Sequence, residues 1–464
     1  MKDITVPSFD TRVPAVLMRL DRNPFHHGTL GAVRSLGRAG IEVHAVIEAA
    51  RSPVGRSRYL RRAHLRPDRP MVLTEPSDLA EIQRLLLGIA DRLATPPVLI
   101  AMDDLSAIAV GRLRERLDGR YLLPEQPSGL PERVADKAEL VGICGTLGIP
   151  HPRTVIPSGA EEAAAAAWSL GLPVVAKWSR PWLLPEGTGL RSTLVVRSPQ
   201  EARELYGRSA EAGSRLLLQE FLPQGRDLDW FFHGYSGGGG ECLIGAAGRK
   251  ERSWPVGAGL TAVGRWLPNP AVERMARQMV TALGYRGILD LDFRLDTATG
   301  AYHLLDFNPR PGAQFRLFTD RSGTDVVRAL HLDLTGRAVP PQEATHGRTF
   351  VVENYALLSF LASLRSSFLT PFRYWGVRRS GGGVLRPRST EAAWFALDDP
   401  LPAYAMAVAW LLHVVRRGWR RLGRALPGRR TAGSERPRTS PVRQRGRGRN
   451  RANPRPPVSH TPSS

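Results

Sequence analysis

The stretch that decides the fold, residues 287–312, reads GILDLDFRLDTATGAYHLLDFNPRPG. Between 289 and 295 apolar and polar residues alternate, and this period of two predicts a half-buried strand. Turn-forming residues follow at 296–300, and residues 302–308 predict a second strand that stops at Pro309. The stretch therefore predicts a β-hairpin.

The polar face of this hairpin is unusually acidic. If the loop closes with an odd number of residues, Asp292 lies opposite Asp306 and Asp290 lies opposite Asn308. Carboxylates that face each other repel unless a cation lies between them, and Mg²⁺ typically binds one or two carboxylates. A solvated hairpin face is the alternative. The D-x-N-P-R ending favours the metal site, because it adds Arg310 to an acid and an amide.

Length and composition are those of an ordinary globular protein. The 464 residues can hold two or three domains, with 42% apolar and 23% charged residues. Cys144 and Cys242 are the only cysteines, which excludes a disulfide framework and a C-x-x-C metal site. The amino terminus lacks the apolar core of a signal peptide, and no run reaches the ~18 apolar residues of a membrane-spanning helix. We therefore expect a cytoplasmic protein.

The net charge of +22 is concentrated near the carboxyl terminus. From Arg416 onward the sequence holds fifteen arginines and a single acid, Glu435. Beyond Gly428 the Arg-, Pro-, Ser- and Gly-rich composition predicts disorder. Such a tail can attract anionic lipid or nucleic acid non-specifically, although it has no aromatic residue after Trp419 for base stacking.

Residues 1–125 alternate between apolar strands and helical segments, which predicts a small parallel α/β domain. Ligands bind at the carboxyl ends of such strands, where Asp103 and Asp104 follow the strand at 98–102. These acids are candidates for binding a substrate amino group. No G-x-G-x-x-G is present, so the dinucleotide fingerprint is absent. His26 and His27 before Gly28 favour a plain turn over an anion or metal site.

Cationic and glycine-containing segments follow a boundary near residues 124–131. Asp136 caps a helix with Lys137 in its first turn, and Lys177 ends an apolar strand, a position that often binds phosphate. The loop with Gly187 and Gly189 can bind phosphate oxygens through its backbone N–H groups. Each signal is weak by itself, because solvated lysines and ordinary surface hairpins look the same.

Taken in order, the motifs between residues 134 and 317 resemble an ATP-grasp domain of the carboxylate–amine ligase group. The ordered motifs are D-K opening a helix, a lysine ending an apolar strand, a glycine-containing loop, Q-E-F-L-x-x-G-x-D, D-x-D-F and L-D-x-N-P-R. Residues 1–125 resemble the preATP-grasp domain that usually precedes it. The resemblance implies an α/β and α+β protein, in which a parallel preATP-grasp α/β domain is followed by an ATP-grasp fold and a disordered basic tail.

The resemblance also implies a site for ATP and Mg²⁺, with Mn²⁺ as an alternative metal. The residues implied to bind the nucleotide are Lys137, Lys177, Gly187, Gly189, Gln219, Glu220, Phe221, Leu222 and Asp227. Those implied to hold the metal are Asp292, Asp306 and Asn308. Those implied in the chemical step are Arg310 and Lys250. The family often has Glu at the first two metal positions, so the shorter Asp side chains would bring the metal closer to the backbone or leave it more water.

Four regions are expected: a preATP-grasp domain at 1–125, an ATP-grasp domain at 126–340, a helical extension at 341–415 and an Arg-rich disordered tail at 416–464. Residues 401–415 are nearly all apolar, and as a helix they reach ~22 Å, short of the ~30 Å hydrocarbon core. We favour packing of this helix on the protein's own core. The alternative is that residues 401–424 bind an anionic membrane surface, which would make the protein peripheral at the inner membrane.

The function expected from the resemblance is an ATP-dependent carboxylate–amine ligase, which forms an amide or peptide bond through an acyl-phosphate and releases ADP and phosphate. Its substrates would be a small carboxylate and a small amine. Arg316 is a candidate for binding a substrate carboxylate, with a helix-surface arginine as the alternative. The alternative function is a non-catalytic nucleotide-fold binding protein, tethered to membrane or nucleic acid by its basic carboxyl-terminal segment.

Overall fold

The computed structural model describes residues 6–185, 187–255, 259–366 and 390–425. Contacts divide the chain into a first unit, Met1–Leu411, and a second unit, Leu412–Ser464. The three sheets lie in the first unit, and the second is described only over 412–425, within the last helix. The predicted disordered tail beyond residue 425 lies outside the described residues. The four predicted domain boundaries stay predictions.

The amino-terminal elements form a four-stranded parallel sheet with the order β3-β2-β1-β4. These elements are β1 (Ala15–Met18), α1 (His27–Arg38), β2 (Val43–Ile47), β3 (Arg62–Leu65), α2 (Pro76–Ala90), β4 (Val98–Ala101) and α3 (Asp104–Leu117). Strands β1 and β2 are buried along their whole length, which explains their apolar sequence, interrupted only by His44 in β2. Strand β3 was not predicted, because it is a short edge strand with exposed arginine and leucine residues. Helix α3 was not predicted either.

A second sheet has the order β5-β8-β6-β7, and its strands are antiparallel. Its elements and their neighbours are α4 (Leu130–Ala135), α5 (Lys137–Leu147), β5 (Thr154–Val155), α6 (Ala160–Leu170), β6 (Val174–Trp178), β7 (Thr193–Val196), α7 (Pro199–Gly207), α8 (Ser209–Ala212) and β8 (Leu216–Glu220). The predicted cap at Asp136 is present, and α5 ends at Gly148. Glycine at Gly148 suits the stop, because its φ of 65° is left-handed.

The third sheet has seven strands in the order β13-β12-β9-β10-β11-β14-β15. Its elements and their neighbours are β9 (Asp229–Ser236), β10 (Cys242–Trp254), β11 (Leu260–Trp266), α9 (Pro270–Leu283), β12 (Gly287–Leu295), β13 (Tyr302–Asn308), α10 (Val326–Leu334), β14 (Thr349–Val351), α11 (Glu353–Ser366), β15 (Thr390–Ala392) and α12 (Leu401–Ala425). The predicted hairpin is β12–β13, at one edge of this sheet. Its polar face is therefore accessible from the side of the smaller antiparallel sheet.

The segment 390–411 packs back onto helix α1 near the amino terminus. Arg34 of α1 donates from Nε to Asp399 at 2.9 Å and from Nη2 to the carbonyl of Trp394 at 2.8 Å. Both side chains of the Arg34–Asp399 pair are buried. Near the start of α12, Met406 is buried in the core of the first unit while Tyr404 is 71% exposed. The favoured packing of this helix on the protein's own core therefore holds for its first turns.

Helix α12 continues to Ala425 instead of ending near Val415 as predicted. Arginine and leucine are good helix formers, and the first strong stop signal in the sequence is Pro427. The start of the predicted disordered tail, 416–425, is thus helical. None of the helices in the described ranges has both the length and the apolar character that crossing a membrane requires. Binding of 401–424 to a membrane surface stays a prediction from the sequence.

Candidate active site

The acid face of the hairpin has the predicted register. Strand β12 pairs with β13 so that Asp292 lies opposite Asp306 and Asp290 lies opposite Asn308. The register shifts just beyond the first of these pairs, and the shift leaves Leu305 as a β-bulge. The bulge matters for the site because it changes the direction of the backbone carbonyl of Leu305.

Two lysines reach this face from the smaller antiparallel sheet and the helix beside it. Lys137, the first residue of α5, forms an ion pair with Asp306. Lys177 of β6 donates from Nζ to the bulged carbonyl of Leu305 at 3.0 Å. The carboxylate of Asp136 accepts hydrogen bonds from two N–H groups in the first turn of α5, which fixes the start of the helix. Both predicted phosphate-binding lysines therefore lie beside the predicted metal-binding acids.

Lys177 is held in an environment that disfavours its charge. Burial lowers the pKa of Lys177 from 10.5 to about 8; Asp306 and Asp292 oppose the shift and Lys137 adds to it. A phosphate bound beside the amine would restore the preference for the charged form, because it adds negative charge. The lysine is thus suited to a negatively charged ligand.

Lys177→Met is expected to remove part of the pH dependence of stability. The unfolded chain holds this proton up to pH 10.5, whereas the folded chain releases it near pH 8. Unfolding therefore takes up a proton between these values, and the free energy of unfolding of the parent should rise with pH there. Urea unfolding at about pH 8 and about pH 10 measures the rise. An equally steep rise in the variant would mean that other groups cause it.

Asp292 has no hydrogen-bond or ion-pair partner among the residues that the structure describes. Burial raises the pKa of Asp292 to about 6; Lys250 opposes the rise, and the neighbouring Asp290 and Asp306 add to it. A carboxylate placed between two others in this way favours a divalent cation as its partner.

The available metal ligands are the two facing carboxylates and the Asn308 amide. Within the described ranges, no three His, Cys, Asp or Glu side chains are grouped as a metal site. Two carboxylates and one amide fit Mg²⁺, because this ion takes its remaining ligands from water and substrate phosphates.

Arg310 joins the hairpin to the start of helix α3. Its Nε donates to Asp104 at 3.2 Å and its Nη1 donates to Asp290 at 3.1 Å. Asp290 lies directly opposite His233 of β9, and its carboxylate is 3.0 Å from Nε2 of that ring. His233 was not predicted as a site residue, because the pairing of β9 with β12 joins segments far apart in the chain.

Lys250 of β10 is the fourth cation near the acid face. Its Nζ donates to the carbonyl of Gly259 at 3.4 Å, and its charge favours the ionised forms of Asp290 and Asp292. The neighbouring Arg249 instead pairs with Glu251 at 2.8 Å. Of these two basic residues, Lys250 is therefore the one that acts on the acid face.

The predicted nucleotide-binding residues of β8 and the turn after it are Gln219, Glu220, Phe221 and Leu222. The Gln219 amide donates to Thr154 at 2.9 Å, and Glu220 pairs with Arg153 at 2.7 Å. Both polar side chains are thus engaged at the β5 side of the sheet. A ligand would therefore bind the backbone groups of residues 219–222.

Positive φ angles mark three other predicted positions. Asp227 has a φ of 68°, and its carboxylate is 3.3 Å from Arg249. Gly187 and Gly189 have φ angles of 83° and 77°, which glycine adopts without steric cost. Among the described residues, a Cβ at either glycine would meet no atom within 4 Å, so both positions are open.

Asp103 and Arg316 have roles other than those expected. Asp103 caps α3, accepting from the N–H groups of Ser106 at 2.8 Å and Leu20 at 2.7 Å, and it is buried. Arg316 is buried and forms an ion pair with Glu391, so it is not a helix-surface residue and its charge is already engaged. The partner strand β15 lies far along the chain, so no local pattern could indicate this pair.

No family model matches the chain. Its relatives by sequence include the carbamoyl phosphate synthase large chain of Clavibacter michiganensis, 24% identical over 240 residues. The match covers 49% of this chain and 21% of that protein. The chain therefore spans about a fifth of the length of this curated relative.

Similar solved structures include the biotin carboxylase domain of Hydrogenobacter thermophilus 2-oxoglutarate carboxylase, with a TM-score of 0.53 at 17% identity, covering 72% of this chain and 73% of that one. They also include the L-amino acid ligase of Bacillus licheniformis, with a TM-score of 0.52 at 16% identity, covering 73% of this chain and 78% of that one. The chain has the ATP-grasp fold. The ATP-grasp fold and the parallel α/β domain before it were both predicted, and both are confirmed. At these identities the likeness concerns the fold alone.

Proposed function

We propose that the protein is an ATP-dependent carboxylate–amine ligase, which forms an amide or peptide bond through an acyl-phosphate and releases ADP and phosphate. The observation that supports this most strongly is one acid hairpin face approached by four cations, namely Lys137, Lys177, Lys250 and Arg310. Phosphoryl transfer between two anions depends mainly on positioning and charge neutralisation, which such a set supplies.

Asp292, Asp306 and Asn308 would hold Mg²⁺, and the bound metal would neutralise charge on the nucleotide phosphates. The biotin carboxylase relative is described in complex with MgADP, which supports Mg²⁺ rather than Mn²⁺. The Lys137–Asp306 ion pair would open on binding. Asp306 would then turn to the metal and Lys137 to a phosphate oxygen, so that neither charge is left unpaired.

The predicted nucleotide residues would act around these phosphates. Lys177 would contact a phosphate, and backbone groups of 219–222 would lie along the adenine, with Asp227 at the ribose. The loop with Gly187 and Gly189 would close over the phosphates and exclude water, which would otherwise hydrolyse the acyl-phosphate.

Two displacements complete the proposed reaction. A substrate carboxylate oxygen attacks the γ-phosphorus, and the bond to the bridging oxygen breaks as ADP leaves. An amine then attacks the acyl carbon and loses a proton, and phosphate leaves with the electrons of the broken C–O bond. Arg310 and Lys250 would stabilise the negative charge on the transferred phosphoryl group and on the oxyanion of the second step.

A non-catalytic binding protein is the less favoured alternative, because the chain keeps all four residues that a degenerate site would be expected to lose, namely Lys177, Asp292, Asp306 and Asn308. Attachment to membrane or nucleic acid through the basic carboxyl-terminal segment has no support beyond the sequence. One solved relative is named as an L-amino acid ligase, so amino acids are the first substrates to test.

Incubation with Mg²⁺, ATP and paired amino and carboxylic acids tests the proposal. Phosphate release is expected only with a suitable acid, an amide product is expected only when an amine is added, and Asn308→Ala should slow both. Reactions without amine separate activation of the acid from amide formation, and mass spectrometry identifies the product. If no acid across a broad panel stimulated release, and Asn308→Ala matched the parent, the ligase proposal would be wrong.

A further inference from the structure

The guanidinium of Arg310 is held from two sides. On one side Nε donates to Asp104, the first residue of α3, at 3.2 Å. On the other, Nη1 donates to Asp290 at 3.1 Å and to the carbonyl of Pro311 at 3.2 Å. Within the described part of the chain Nη2 donates no hydrogen bond. Two nitrogens therefore fix the group while the third remains for a ligand.

Asp290 is itself fixed by its neighbours. One carboxylate oxygen is 3.0 Å from Nε2 of His233, and the other accepts from Arg310 and, at 3.4 Å, from the Asn308 amide. The side chains of His233 and Asp290 are 0% and 7% exposed. Oδ2 of Asp290 is thus hydrogen-bonded to Arg310, whereas Oδ1 lies in close contact with the His233 ring without a hydrogen bond among the described residues. The bond to Arg310 distinguishes Asp290 from Asp292 and argues against a role for Asp290 as a metal ligand.

The backbone just beyond Arg310 restricts this pair further. A Cβ at Gly312 would collide with the His233 ring and would lie 2.7 Å from Cγ of Asp290. The glycine is therefore required by space, and it lets the loop pack directly on both side chains. The loop at Gly312 therefore restricts the space around His233 and Asp290 on this side.

We propose that His233 and Asp290 are positioning residues for Arg310, which orient its guanidinium toward the transferred phosphoryl group, while Asp104 fixes it from the start of helix α3. The proposal rests on the proposed function, in which Arg310 contacts that group. His233 and Asp290 touch no substrate and would act through Arg310 alone.

A double-mutant cycle tests this dependence. With Arg310 present, Asp290→Asn and His233→Phe are expected to lower kcat by about ten- to a hundredfold and to change KM for ATP by less than about twofold. In an Arg310→Ala background the same changes should have no further effect. His233→Gln places an amide N–H near the position of Nε2 and should recover much of the loss. Tyr235→Phe, which removes one buried hydrogen bond from the same strand, is the control and should match the parent.

Equal losses in both backgrounds, or parental kcat in Asp290→Asn, would overturn the proposal. A merely structural role for the pair would lower activity whether or not Arg310 is present, and it would predict no recovery with His233→Gln.

A readout without turnover separates this proposal from the ligase proposal. The side-chain Nη1–H NMR signal of Arg310, assigned by its loss in Arg310→Lys, should be protected from solvent exchange in the parent, where Nη1 donates to Asp290, and exposed in Asp290→Asn. An unchanged signal in Asp290→Asn would overturn the positioning role even if the protein proved to be a ligase. A protein that turned over no substrate would refute the ligase proposal and leave this measurement valid.

Discussion

Asp292→Asn is expected to lower Mg²⁺-dependent ATP turnover by about a hundredfold or more while leaving the fold intact. In the proposed site this carboxylate is a metal ligand, and an amide of the same shape lacks its charge. Because burial raises the pKa of Asp292 to about 6, keeping this carboxylate ionised at neutral pH costs free energy in the folded protein that the unfolded chain does not bear. Replacing it by a neutral amide should therefore maintain or raise the free energy of unfolding.

Phosphate release measured across a range of Mg²⁺ concentrations gives the effect of the substitution on turnover. Urea unfolding gives its effect on the free energy of unfolding. Asp296→Asn is the matched control, since Asp296 lies in the turn of the same hairpin and its carboxylate bonds locally to Thr299 and Ala298. This control should keep parental turnover. If Asp292→Asn kept the Mg²⁺ dependence of the parent, Asp292 would not be a metal ligand.

Arg34→Leu is expected to have the largest effect on stability, a loss of about 3–5 kcal/mol in the free energy of unfolding. The change leaves Asp399 buried without its charged partner, and it also removes the hydrogen bonds from Arg34 to the carbonyls of Trp394 and Asp399. A buried carboxylate without a compensating charge is far less stable than one in water.

Arg38→Leu on the same helix is the matched comparison. Arg38 pairs with Asp398 at 2.7 Å, but both side chains are partly exposed, so the loss should be about 1 kcal/mol or less. Urea unfolding of the two variants and the parent gives both values. Similar losses for the two arginines would contradict a special role for the buried pair.

Local patterns predicted the hairpin and its register well. The alternation in 289–295 predicted strand β12, and the acids at its polar positions face those of β13 as expected. Lys177 was predicted to end an apolar strand, but β6 continues to the buried Trp178, and Lys177 reaches the acid face because alternate side chains of the strand point away from the core.

Contacts between distant segments were not predictable from local patterns. His233 meets Asp290 only because β9 and β12 are neighbours in the sheet, and no local period specifies that pairing. Arg316 was interpreted as a ligand of a substrate carboxylate or as a helix-surface residue, because its partner Glu391 lies on a strand much later in the chain. The carboxylate of Asp103 was interpreted as a ligand for a substrate amino group, whereas in the structure it caps α3.

The return of segment 390–411 to helix α1 has a consequence for biosynthesis. Domains usually fold in the order in which they leave the ribosome. Here His27, early in the chain, packs its ring 6.1 Å from that of Trp394, and Arg34 of the same helix finds its acid only at Asp399. Helix α1 therefore cannot complete its packing until most of the chain has been translated.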